Sequence, residues 1–119
     1  MRVIAGEAKG RKLNSPENNK IRPTTDRVKE SLFNLITGDI DENTVIFDLF
    51  SGSGGLGIEA LSRGAKRAYF CDKNMNSLSL TRSNIKLCRM EERSILFFGD
   101  YRKGLESFPE KADIIFLDP

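Results

Sequence analysis

Three features of this 119-residue sequence predict an α/β fold built on a parallel sheet with helices on both faces. After Thr44, short apolar runs alternate with stretches of helical periodicity. The runs are continuously apolar, as strands buried on both faces are. A glycine-rich turn follows the first of them directly. The strands fall at TVIFDLF (44–50), RAYFCD (67–72), SILFFGD (94–100) and ADIIFLD (112–118). Helices fill the gaps from about Leu56 to Arg63, from Asn74 to about Cys88 with Asn74 as cap, and from Tyr101 to Phe108.

The segment before this repeat has a different character. Residues 1–13 read as two short strands, a hairpin turning around Gly6 and Gly10. The polar stretch 14–20 has nothing to bury and reads as a mobile loop. Pro23 then sets up a helix, with Thr24 or Thr25 as N-cap and Gly38 at its end. Val28, Leu32, Leu35 and Ile36 give that helix one apolar face. We therefore divide the chain into an N-terminal extension, 1–39, and a strand–helix repeat, 40–119.

Charge separates the same two parts. Residues 1–29 carry eight Lys/Arg and three acids, a net +5, whereas the rest sums to −3 within a total of +2. A basic extension on a near-neutral domain points to a polyanionic partner and marks the extension as its contact; the plain alternative is a solvated tail. There is no histidine, which removes the usual general base and zinc ligand. The two cysteines, Cys71 and Cys88, have no CxxC spacing, so we expect reduced thiols and no metal. No apolar run has the length of a membrane span and no signal-peptide core opens the chain, so the sequence reads as cytoplasmic.

The richest stretch is Asp48-Leu49-Phe50-Ser51-Gly52-Ser53-Gly54-Gly55-Leu56-Gly57, between a strand and a helix. Gly52, Gly54 and Gly57 satisfy GxGxxG, a weak pattern alone, whose content is close approach of backbone to a ligand. In a nucleotide-binding protein that ligand is a pyrophosphate at the helix N-terminus. Asp48 argues otherwise: its carboxylate at the strand tip would repel a pyrophosphate but attract the ammonium and sulfonium of S-adenosylmethionine. The bland reading of Asp48 is a loop anchor that accepts from backbone amides. Asp72 ends the second strand, where a carboxylate can accept both ribose hydroxyls. Asp100 ends the third, placed for an adenine amine. Each alone is more often a helix cap than a ligand group; three acids at three consecutive strand ends are harder to dismiss.

The fourth strand ends in Leu117-Asp118-Pro119, which looks like the start of the Asp-Pro-Pro-Tyr/Phe motif of amino-group methyltransferases. Together with RVIAGEAKGRKL (2–13), RPTTDRVKESLFN (22–34) and FDLFSGSGGLGIEALSRGA (47–65), it makes the whole chain resemble the RsmD family, in order and with natural spacing. The resemblance implies a Rossmann-like S-adenosylmethionine-dependent methyltransferase fold and methylation of a guanine N2 amine in 16S small-subunit ribosomal RNA. It places Asp48, Phe50, Gly52, Gly54, Asp72 and Asp100 at the cofactor. Arg22 and Thr24, with Thr25, Asp26 and Arg27, match a segment that closes over the cofactor's methionine end. Asp118 and the Pro119 carbonyl would accept hydrogen bonds from the target amine. The partner implied is 16S ribosomal RNA or the assembling small subunit, with no metal and no membrane.

The second proline and the aromatic residue of the motif are absent, because the chain stops at Pro119. We expect a piece of a longer protein that lacks its C-terminal strands, is inactive by itself, and self-associates through an open fourth-strand edge. Two other readings compete. A nicotinamide-dependent oxidoreductase accounts for GxGxxG and Asp72 but for neither Asp48 nor Asp-Pro. A non-enzymatic RNA-binding module accounts for the basic extension alone. Calorimetry with S-adenosylmethionine against NAD separates them.

Overall fold

The computed structural model describes residues 1–15 and 25–119. Thr25 caps the first helix, α1 (Asp26–Ile36): its Oγ1 accepts from the Val28 N–H at 3.3 Å. A 3-10 turn, Thr37–Asp39, carries Gly38 and leads into β1 (Val45–Asp48). Then follow α2 (Gly55–Ser62), β2 (Arg67–Asp72), α3 (Met75–Leu87), β3 (Ser94–Phe98), α4 (Tyr101–Ser107) and β4 (Ile114–Phe116). From β1 onward every strand and helix falls within two residues of the bounds read from the sequence. The strands pair in parallel in the order β3-β2-β1-β4.

Alternation along the strands divides the apolar side chains between two faces. Ile46, Ala68, Phe70 and Phe116 point to one face, into a core with Phe33 of α1, Ile58 and Leu61 of α2 and Ile85 of α3. Val45, Phe47, Tyr69 and Cys71 point to the other. There Phe108, at the end of α4, packs edge-on to Phe47 with ring centroids 4.9 Å apart. Both faces are thus covered at the central strands β1 and β2, which read as unbroken apolar runs, whereas Ile95 and Phe98 of the outer strand β3 are exposed. Among the described residues β4 pairs only with β1, and Ile115 and Leu117 are exposed.

Before Thr44 the structure adds contacts that local pattern does not show. The hairpin at residues 1–13 is short: Arg2 bridges Lys12 antiparallel, the Val3 N–H donates to the Arg11 carbonyl, the Gly10 N–H to the Val3 carbonyl and the Leu13 N–H to the Met1 carbonyl. Much of its backbone bonds elsewhere: the Glu7 N–H donates to the Ser62 carbonyl, Ala8 N–H to Ser62 Oγ, and Ile4 and Ala5 N–H groups to the Glu59 carboxylate. Gly6, at φ +86°, lies so close to α2 that a Cβ would stand 1.8 Å from the Ser62 carbonyl oxygen. Val3, Ala8 and Leu13 are buried in the same core as α1, α2 and α3, so the extension and the strand–helix repeat share one hydrophobic interior. The loop expected at 14–20 lies mostly outside the described residues.

The apolar face of α1 is also rotated from the one expected. Val28 and Leu35 are 58% and 82% exposed, whereas Lys29 and Phe33 are buried, with Leu32 and Ile36 packed beside them. Pattern reading places a lysine outside, and here a charge partner overrides it. Lys29 Nζ lies 3.2 Å from Glu59 Oε1 and also donates to the Arg2 carbonyl. Glu59, fully buried, is further bound by Arg63 Nε at 2.9 Å and by the Ile4 and Ala5 amides. A buried ion pair is tolerable only when its remaining bonding capacity is filled, as it is here. Burial still lowers the Lys29 pKa, against the opposing pull of Glu59.

Candidate functional site

Parallel pairing brings the acidic strand ends to one edge of the sheet. Asp48 is in register with Phe70 of β2 and Phe116 of β4, so Asp72 and Asp118 each lie two residues beyond its level. Asp72 is in register with Phe98, and Asp100 again lies two beyond. The glycine turn after β1 crosses this edge.

Three contacts shape that turn from below. The Gly52 N–H donates to Asp72 Oδ2 at 3.0 Å, the Gly57 N–H to Asp48 Oδ2 at 3.1 Å, and the Ser51 N–H to the Cys71 carbonyl at 3.0 Å. Gly52 and Gly54 both take positive φ, +54° and +83°, which other residues rarely adopt. At Gly57 the reason for glycine is space: a Cβ would stand 2.3 Å from the Phe70 ring. Sequence reading missed two residues of α3 that hold the turn from behind. Buried Thr81 donates from Oγ1 to the Gly52 carbonyl at 2.7 Å, and buried Asn84 donates from Nδ2 to the Ser53 carbonyl at 2.8 Å. Their signal was available as two polar residues, three apart, on the helix face that also buries Leu78 and Ile85.

Each acid has a structural task, and what each retains differs. Asp48 is 1% exposed, and its Oδ1 is a buried oxygen with no hydrogen-bond partner among the described residues. Burial pushes its carboxyl up to about 7, the Gly57 amide opposes, and the charges of Asp118 and Asp72 add to the rise. Asp48 is thus both the loop anchor of the bland reading and a carboxylate with unused capacity. Asp72 accepts from Gly52 and, through Oδ1, from the Asn74 N–H at 2.9 Å, which uses two of its roughly four acceptor positions. Asp100 caps α4 by accepting from the Arg102 N–H at 2.8 Å and also binds the Arg102 guanidinium at 3.0 and 3.3 Å. Those bonds to Arg102 hold its pKa below the ordinary carboxylate value.

Phe50, in the turn after β1, and Tyr101, the first residue of α4, pack with ring centroids 5.4 Å apart. Asp118 and Pro119 are exposed beyond β4, and Asp118 is near enough for its charge to act on Asp48. Arg22 and Thr24 lie outside the described residues. Among the described residues no His/Cys/Asp/Glu group has metal-binding geometry, and no helix is long and apolar enough to cross a membrane. Cys71 and Cys88 are free and buried; burial raises both thiol pKa values, Cys71 to about 11.

The residues present fit a cationic nucleoside. A buried carboxylate with an unsatisfied oxygen offers a partner to positive charge, and Gly52 is open, with no atom within 4 Å of where a Cβ would stand. A second carboxylate, tied to that glycine, keeps free acceptor positions for hydroxyls.

The chain is similar to several known proteins. The family model described as conserved hypothetical protein 95 matches residues 1–119. Bacillus subtilis YlbH is 41% identical over 122 residues, covering 100% of this chain and 66% of YlbH. The ribosomal RNA small subunit methyltransferase D of Haemophilus influenzae is 37% identical over 123 residues, covering 100% of this chain and 63% of its own length. The solved structure of Escherichia coli yhhF superposes with a TM-score of 0.85 at 32% identity, over 100% of this chain and 63% of that one. The chain spans less than two thirds of the length of each.

Proposed function

The chain belongs to the RsmD family, and from that premise we propose that it forms the cofactor-binding part of an S-adenosylmethionine-dependent enzyme that methylates small-subunit ribosomal RNA at a guanine N2 amine. The observation that carries the cofactor assignment is the pairing of Asp48, buried with one oxygen unsatisfied, and Asp72, bonded to Gly52, on either side of the glycine turn.

S-adenosylmethionine would supply an electrophilic methyl group on a sulfonium. Asp48 favours positive charge beside the turn, Asp72 accepts ribose hydroxyls, and Gly52 and Gly54 keep the turn open to the ligand. Asp100 serves an adenine amine if the Arg102 guanidinium yields one of its bonds. Phe50 and Tyr101 flank the same edge. Arg22 and Thr24 would close the methionine end. Asp118 and the Pro119 carbonyl accept from the target amine, which draws its lone pair out of conjugation with the ring; positioning supplies most of the remaining acceleration. The base must be unstacked to reach them. No step needs an imidazole.

The extension faces the RNA in this reading, the RNA is 16S or the assembling subunit, and the compartment is the cytoplasm. Calorimetric titration with S-adenosylmethionine and with NAD tests the cofactor, and radiolabelled methyl transfer to small subunits by the complete protein tests the reaction. Binding of NAD in preference to S-adenosylmethionine would overturn the assignment.

A further inference from the structure

Residues 1–15 carry Arg2, Lys9, Arg11 and Lys12 against one acid, Glu7, which is itself paired with Arg93 at 2.7 Å. A second cationic stretch lies far away in sequence. From Lys73 to Met90 the chain contains Lys73, Arg82, Lys86 and Arg89 and no acid at all. Folding lays the first stretch along the second. Arg11 Nη1 donates to the Leu87 carbonyl at 3.0 Å, Asn14 N–H to Asn84 Oδ1 at 2.7 Å, and Asn14 Nδ2 to Ser83 Oγ at 3.4 Å. Lys12 lies between those contacts. Arg11, Lys12, Arg82, Lys86 and Arg89 are all exposed, and among the described residues none has an acidic partner within ion-pair distance.

Unpaired cations gathered from two segments repel one another, so this arrangement weakens the fold unless an anion relieves it. α3 is about 20 Å long at 1.5 Å per residue, a span of several phosphates on one nucleic-acid strand. We propose that the outer face of α3, the turn that follows it and the segment Arg11–Asn14 laid along them form a single docking surface for the phosphate backbone of RNA, with Arg11, Lys12, Arg82, Lys86 and Arg89 as the contacts. The surface rests on the RNA-methyltransferase reading for its partner and extends it beyond the N-terminal extension, the part that linear charge counting singles out. Although α3 holds the glycine turn through buried Thr81 and Asn84, its cations are exposed and contact none of Asp48, Asp72 and Asp100, so they can be changed without removing a cofactor contact.

The test compares the unsubstituted chain with R82E/K86E and with a control pair on the other side of the sheet, K103E/K111E, both exposed. The probe is a 20-base-pair RNA duplex, titrated from 50 to 300 mM salt, with S-adenosylmethionine calorimetry and circular dichroism on each variant. R82E/K86E should lower RNA affinity at least tenfold at low salt and reduce the salt slope by about 1.4–1.8, the loss of two phosphate contacts. Folding and cofactor affinity should hold, and the control pair should keep the parental slope. Equal losses in both pairs, an unchanged slope in R82E/K86E, or equally tight binding of polyglutamate would overturn the surface. Failure of S-adenosylmethionine to bind the unsubstituted chain would count against the functional reading instead, since the slope comparison does not use the cofactor.

Discussion

Replacing Asp48 by asparagine should change how stability depends on pH, and by an amount that follows from its burial. The folded chain raises this carboxyl to about 7, chiefly by desolvation, whereas in the unfolded chain it titrates near 3.9, roughly the model-peptide value. Between those two pH values the folded state holds a proton that the unfolded state has released. Stability from this group therefore falls as pH rises from about 4 to about 7 and is level above. At about 1.4 kcal/mol per pH unit, the portion between pH 5 and pH 7 amounts to about 3 kcal/mol. Asparagine keeps an oxygen for the Gly57 amide and carries no charge. Urea unfolding at pH 5 and pH 8 should show Asp48→Asn gaining about 3 kcal/mol on the parent between the two conditions. The same variant should bind S-adenosylmethionine more weakly. A cation beside Asp48 favours its ionised form, so binding to the parent near pH 6 should release a proton, seen as a dependence of calorimetric heat on buffer ionisation. Parallel stability profiles for the two proteins would refute the burial argument, and equal cofactor affinity would remove the charge from the site.

Four further outcomes are expected. Asp72→Ala should weaken S-adenosylmethionine binding by about 1–3 kcal/mol in calorimetry, the loss of charge-assisted bonds; unchanged affinity takes Asp72 out of the site. Gly57→Ala should cost about 1–3 kcal/mol in urea unfolding, because its Cβ would meet the Phe70 ring at 2.3 Å. Glu59→Gln leaves Lys29 buried beside a neutral partner and should cost about 3–5 kcal/mol; pairing it with Lys29→Met should recover much of the loss, and a still lower thermal midpoint would contradict this. For the self-association proposed at β4, Ile115→Lys places a charge on an exposed edge residue and should lower the sedimentation coefficient at high protein concentration.

The cost of deleting the N-terminal extension also follows from the fold. Loss of residues 1–13 would strip Val3, Ala8 and Leu13 from the core and leave Glu59 without two of its donors, so it would unfold the chain before it could report on RNA. Substitution of exposed Arg11 and Lys12 is the cleaner perturbation.

From Thr44 onward, local sequence already determined the architecture. Strands buried on both faces must be apolar throughout, helix caps need Asn74 and Asp100 at their starts, and a turn of positive φ needs glycine at 52 and 54. The acids at 48, 72 and 100 were legible for the same reason: parallel pairing puts successive strand ends on one edge whatever the exact register. How residues 1–15 and 25–36 are seated could not be read this way, because Lys29 meets Glu59 thirty residues on and Ile4, Ala5 and Ala8 meet α2 more than fifty residues on. The hairpin at 1–13 could be read, but not its seat on Glu59 and Ser62, and the local preference of Lys29 for the surface yields to a buried carboxylate that also takes backbone amides. Thr81 and Asn84 likewise look like ordinary helix positions until the glycine turn folds against them. Hydrophobic period and backbone sterics act within a few residues and are written in the chain. Whether a buried polar group is satisfied depends on what the fold brings beside it, and only the tertiary structure decides that.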